Sequence, residues 1–172
     1  WGPLAGPDLL ILNGEEITTR NGHYAALGLA PGDWIDWRYR AEDDQLKAFA
    51  RDVRRVGGLV VAAHPYCPFV GCRWKFGFDQ VDVVEVWNGP WTLDDEVSVE
   101  AWDAMLVASA GRRSGWVPAM GNSDAHNPGQ VVALPQTVVR AERLDRGPLL
   151  EGIQSGRSWI AESAQVELSL TA

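Results

Sequence analysis

Short apolar runs of strand length alternate along this chain with amphipathic stretches of helix length, and that alternation limits the fold more than any other feature. Residues 9–12 and Leu59–Ala63 are continuous apolar runs that read as buried strands. A turn around Asn21-Gly22 returns the chain as a second extended piece over 23–29. Residues 81–87, 116–120, 136–140 and Ser158–Ala161 complete the expected strands. Between them, residues 42–56 carry Leu46, Phe49, Ala50, Val53 and Val56 at helical spacing, and Gly57-Gly58 stops the helix. Thr92-Leu93-Asp94-Asp95 resembles a capping box with Asp95 in the reaching-back position. The helix it opens is expected to bury Val97, Ala101, Met105 and Ala108 and to end at Gly111. A third helix spans 148–155 and stops at Gly156. The pattern predicts an α/β fold with a mostly parallel sheet or barrel, whose functional residues collect at the carboxyl ends of strands.

Charge and length narrow the function. The 172 residues suit one domain with a substantial core. A formal net charge of −8 argues against a nucleic-acid surface, which needs clustered Lys and Arg on phosphates. No apolar run approaches the roughly 20 residues that span a bilayer, so a membrane-spanning role is not expected. Oligomeric state cannot be read from the sequence. The chain opens Trp1-Gly2-Pro3 with neither an initiator Met nor a secretion signal, so it reads as processed or as lacking its beginning.

Chemistry concentrates at a few positions. The three histidines stand in Gly22-His23, His64-Pro65 and Asp124-Ala125-His126, and the acidic pair Glu15-Glu16 follows the first apolar run. Singly, each has an ordinary explanation: a solvated acidic pair, a structural His-Pro turn, turn or cap residues. Together they form a mixture of imidazole and carboxylate suited to zinc, manganese or iron. Glu16, His64 and Asp124 are each expected just after a strand, and this shared placement favours a metal centre. Ser123 beside Asp124 and His126 raises a serine-nucleophile alternative. Three residues of one tight turn cannot readily build that relay, and the G-x-S-x-G elbow is absent. Cys67 and Cys72 admit three readings: a disulfide suited to an exported protein, a metal site, or two free thiols in a cytoplasmic one.

The ordered set Gly14-Glu15-Glu16-Ile17-Thr18-Thr19, Gly22-His23, Gly57-Gly58-Leu59-Val60 with His64-Pro65, Val84-Glu85-Val86-Trp87-Asn88 and Gly121-Asn122-Ser123-Asp124-Ala125-His126 resembles the PHP (polymerase and histidinol phosphatase) superfamily of metal-dependent phosphoesterases. Ile35-Asp36-Trp37-Arg38, the Glu-Val-Trp-Asn run and Gly156-Arg157-Ser158 resemble its carbaryl-hydrolase (CehA/McbA-like) branch. The resemblance implies a distorted (β/α) barrel holding two or three divalent ions (Zn, Mn or Fe). It also implies a small-molecule ester as substrate: a phosphoester, or in the closer branch a carbamate or carboxylic ester. It makes Glu16, His23, His64, Asp124 and His126 metal ligands, with Glu16 bridging, and gives catalytic roles to Glu16, His64, Asp124 and His126. Glu85, Asn88 and Arg38 become substrate-adjacent, although Glu85 also reads as a salt-bridged strand residue. The family's opening Asp-x-His-x-His and Thr-Asp-His motifs have no counterpart here, so the first strands are expected to be lacking. The segment alone is then expected to bind metal weakly at most and to be essentially inactive. The alternative from another class is a non-catalytic binding module with a decayed metal site, using Tyr66, Phe69, Trp74, Phe76 and Phe78. An ideal Asn21-Gly22 hairpin would leave Glu16 and His23 several positions apart, so a longer loop or a bulge is expected there.

Overall fold

The computed structural model describes residues 5–110 and 116–169. The Trp1-Gly2-Pro3 opening and the expected helix end at Gly111 lie outside the described residues. Seven strands and three α-helices follow in the order β1 (Gly14–Thr19), β2 (Gly22–Leu27), α1 (Gln45–Arg55), β3 (Leu59–Ala63), β4 (Val83–Asn88), α2 (Leu93–Ser109), β5 (Ala119–Asn122), β6 (Gln136–Val139), α3 (Arg146–Gln154) and β7 (Ser158–Ala161). Strands β1 to β5 form one sheet in sequence order. The β1–β2 and β2–β3 pairings are antiparallel, and β3–β4 and β4–β5 are parallel. Strands β6 and β7 pair as a separate antiparallel ribbon beside β5. The α/β class is therefore as expected, but the described strands make an open mixed sheet and a ribbon rather than a closed barrel.

The first expected strand is a correction. Residues 10–13 have no strand pairing, and Leu9 is exposed and bridged only to Gly6. The true first strand begins at Gly14, where Ile17 and Thr19 turn inward while the intervening side chains face the other way. A continuous apolar run specifies burial but no face, and the alternating β-branched Ile-Thr-Thr run is the better strand former. Consequently Glu16 lies inside β1, not just after a strand.

Strand β3 is buried along its whole length between a helix-ending glycine pair and the buried Pro65. A Cβ on Gly58 would stand 2.5 Å from the Leu27 carbonyl oxygen, so only glycine lets α1 turn so closely onto the sheet. One core packs Leu46, Ala50 and Val53 of α1 against Ile17, Tyr24, Val60 and Val84. A second, on the opposite side of the sheet, joins Val61, Val83 and Met120 to Leu150 and Ile153 of α3. The expected helix over 42–56 is divided by Asp44, in the left-handed region at φ 54°, into a 3-10 turn at Ala41–Asp43 and α1.

Helix α2 presents only part of the face expected: Met105 packs on the core, but Val97 and Ala108 are exposed. Asp95 and Ser98 are buried, and Val99 and Trp102 join Met105 on the core. The polar pair tolerates burial because its bonds are made. Asp95 accepts the Thr92 N–H at 2.7 Å and the Asn88 N–H at 2.9 Å, and the Ser98 hydroxyl donates to the Asp94 carbonyl at 2.8 Å. The capping box thus forms, and it also ties α2 to the end of β4.

Candidate metal centre

The pairings place the carboxyl ends of β1, β3, β4 and β5 and the amino end of β2 along one edge of the sheet. His23 pairs with Thr18 on β1 and with Ala63 on β3, immediately before His64. Glu16 pairs with Ala25, one alternation deeper on the same face. No long loop or bulge is needed to bring Glu16 to His23. The two-residue connection is Arg20-Asn21, one position earlier than expected, with Thr19 opposite Gly22. This one-residue change halves the offset from four positions to two, a diagonal that long side chains span. Gly22 permits it, with φ 119° and a hypothetical Cβ only 2.7 Å from the Trp74 Cα.

Glu16 Oε1 lies 3.1 Å from His23 Nδ1 and 3.3 Å from His64 Nε2. One donor atom from each of Glu16, Asp124 and His126 falls within 4.8 Å of the others, and the same holds for Glu16, His23 and His64. All five expected ligands therefore converge, with Glu16 common to both groups. His64 and Asp124 each follow a parallel strand and each has a left-handed backbone, at φ 28° and 45°. Non-glycine residues in that region are uncommon and cluster at functional sites. The His126 ring is exposed and hydrogen-bonded at 2.7 Å to the Asp124 carbonyl oxygen.

Beneath His64 lies Glu85, only 3% exposed. It accepts the His64 backbone N–H at 2.6 Å, the Asn122 side-chain amide at 2.8 Å and the Asn88 amide at 3.2 Å. Every partner is a neutral donor, so Glu85 is not the salt-bridged strand residue that one reading of the sequence expected. Burial pushes its pKa up to about 7 against these three donors. Hydrogen bonds from His23 and His64 hold the Glu16 carboxyl far below the ordinary carboxylate range, with burial opposing. Burial disfavours the His64 imidazolium, but the Glu16 hydrogen bond and the charges of Glu85, Glu16 and Asp124 outweigh it and raise the pKa. His126 is raised by the Asp124 carbonyl and carboxylate. Asn122 stands in the 121–126 motif, but the sequence assigns it no role; its place at the end of a strand two residues before Asp124 is the signal that could have found it.

A divalent ion fits this donor set. Neighbouring ligands on a tetrahedral ion bound at about 2.0–2.1 Å stand about 3.3–3.4 Å apart, close to the separations of Glu16 from the two imidazoles. Cys67 and Cys72 are joined as a disulfide, with Cα atoms 5.8 Å apart. In that state they offer no thiolate to a metal, although they lie within ligand distance of His64.

No family model matches the chain, and no curated protein does. Among solved structures, the chain resembles a two-domain protein from Bacteroides vulgatus containing a predicted PHP-like metal-dependent phosphoesterase, at TM-score 0.57 and 19% identity. The superposition covers 89% of this chain and 45% of that one. The chain shares the fold of the part of that protein on which it superposes. The chain spans less than half the length of that neighbour.

Asn88 lines the same cleft as Glu16, His64, Glu85 and Asp124. Arg38 does not: it is exposed, pairs with Asp36 at 2.9 Å, and lies in grooves beside Tyr39 and Asp43. Among the described residues Ser123 makes no hydrogen bond to Asp124 or His126, so no serine relay is assembled. Of the aromatic cluster after His64, Trp74, Phe76 and Phe78 pack on the core, and only Phe69 is largely exposed. No helix among the described residues is long and apolar enough to cross a membrane.

Proposed function

We propose that this chain carries the ligand cluster of a metal-dependent ester hydrolase. Glu16, His23 and His64 would hold one divalent ion, and Glu16, Asp124 and His126 a second. The observation that carries this reading is the Glu16 carboxylate common to both donor groups. Such ions supply Lewis-acid polarisation of an ester and a water activated near neutral pH. The chain's own residues do the rest. Glu16 is held ionised and can serve both groups at once. Glu85 fixes the His64 backbone from behind, and Asn122 and Asn88 hold Glu85 in turn. Zinc, manganese and iron all suit this donor set.

Phosphoesters are the first substrate class, in keeping with the phosphoesterase described for the structural neighbour. Carbamate or carboxylic esters are the second, favoured by one observation: among the described residues, no Lys or Arg lines the cleft of Glu16. A doubly charged phosphate would find no protein cation there besides the imidazoles.

Metal titration of wild type and single variants tests the reading. Two sites per chain are expected, both weakened by Glu16→Gln, the first alone by His23→Ala and the second alone by His126→Ala. Binding should be weak, since partial ligand sets release their ions, so the titration extends to millimolar metal. Binding indifferent to Glu16→Gln would remove the proposal. Assays with an aryl phosphate and an aryl carbamate in the presence of Mn²⁺ or Zn²⁺ then separate the ester classes.

A further inference from the structure

A second cleft of about 560 Å³ adjoins the ligand cluster. The two share walls residue by residue. Trp87 lines the second cleft and Asn88 the first; Ser123 lines the second and Asp124 the first. A group seated in the second cleft is therefore next to the proposed ions, separated only by the ends of β4 and β5. Its lining is mainly apolar. Trp87 and Trp91 meet edge to face there, ring centroids 5.0 Å apart and planes at 88°, so the pair forms two perpendicular aromatic surfaces. Each indole N–H is directed to a protein oxygen, Trp87 to the Gly89 carbonyl and Trp91 to Glu96.

The charge in this cleft is of one sign. Among the described residues Glu162 is the only ionisable one of the lining, and no Lys, Arg or His joins it. Among the described residues the Glu162 carboxylate is neither hydrogen-bonded nor ion-paired, and it is exposed. Perpendicular aromatic surfaces with a free carboxylate suit a weakly hydrated organic cation: the ring quadrupoles attract it and the carboxylate balances its charge. An anionic group would find no cationic side chain in the described lining to offset the carboxylate.

We propose that this cleft binds an apolar ammonium group, and that the ester presented to the neighbouring cluster is one that carries such a group. The volume exceeds a quaternary ammonium and leaves room for an apolar chain or ring beside it. The role as a substrate subsite rests on the hydrolytic reading of the ligand cluster; the cation preference does not.

The test uses choline and its uncharged isostere 3,3-dimethyl-1-butanol, titrated by calorimetry into the full chain without metal. Choline is expected to bind about tenfold more tightly, the order given by a partly desolvated cation–π contact. Trp91→Ala should weaken choline binding severalfold. Glu162→Gln should reduce the preference while leaving the neutral probe unchanged. Both side chains are largely exposed, and circular dichroism checks that the variants fold. Equal affinity for the two probes, or choline binding indifferent to Trp91→Ala, overturns the assignment. The outcome is separable from the metal titration. Charge-selective binding supports the cleft even if Glu16→Gln leaves metal binding untouched, and two intact metal sites with no charge preference overturn the cleft alone.

Discussion

Glu85 lies behind the proposed metal ligands and holds one of them in place. Its carboxylate receives the backbone N–H of His64 at 2.6 Å while His64 sits at φ 28°, so one hydrogen bond helps to hold a left-handed backbone in place. Metal-binding histidines depend on such partners for orientation. Glu85→Ala would leave the His64 N–H and two asparagine amides without their acceptor. Each uncompensated buried donor costs about 1–3 kcal/mol, so a loss of at least about 2 kcal/mol in denaturant stability is expected, together with weaker metal binding at His64. Unchanged stability would mean that Glu85 is dispensable and that water satisfies the three donors. The sequence made Glu85 visible as part of the Glu-Val-Trp-Asn run but could not rank it. What separates it from the half-buried Glu15 on β1 is the depth of burial, and burial at a strand end depends on which helix crosses above.

At the level of elements, the hairpin of β1 and β2 determines whether the site exists. A register in which Asn21 and Gly22 formed the two-residue loop would leave Glu16 and His23 four positions apart. The observed register, with Thr18 opposite His23, brings their side chains to 3.1 Å. Gly22→Ala is expected to disturb this register, because the added methyl meets the Trp74 backbone and φ 119° is open essentially to glycine. The measurable result is a stability loss above about 1 kcal/mol together with loss of the His23-dependent metal site. A variant of wild-type stability and metal affinity would show that the turn is not the device that aligns the ligands. Strands β3 and β7 were legible to the residue because each is a short apolar or β-branched run bounded by a glycine or proline. The buried face of α2 was legible only in part. Its sequence carries apolar residues on several sides, so periodicity alone cannot choose one. The choice falls to Asp95 and Trp102, whose bonds to the Asn88 N–H and the Val117 carbonyl anchor the helix at its start and near its middle.

Across the whole molecule, the ligand cluster sets how stability responds to pH, and the sign can be worked out group by group. Glu85 is raised from 4.5 to about 7 and is buried. Its unfolded form ionises first, so the folded state loses stability as pH climbs from about 4.5 to 7, by about 3 kcal/mol at the conversion of 1.36 kcal/mol per unit. His64, raised above 6.5, acts in the same direction: its contribution is complete below 6.5 and fades as pH passes its folded pKa. Glu16 is depressed, so its contribution is complete above 4.5 and disappears only in strong acid. The metal-free protein should therefore be less stable at pH 8 than at pH 5. Glu85→Gln should flatten that slope, whatever its effect on absolute stability. Added Zn²⁺ or Mn²⁺ should reverse the trend, because the ion binds deprotonated imidazoles and carboxylates and competes with protons for them. Thermal melts of wild type and Glu85→Gln at the two pH values, with and without metal, measure all three effects. A metal-induced stabilisation that does not grow from pH 5 to pH 8 would mean that the ion binds elsewhere than at the histidines, and the assignment of His23, His64 and His126 as ligands would fall with it.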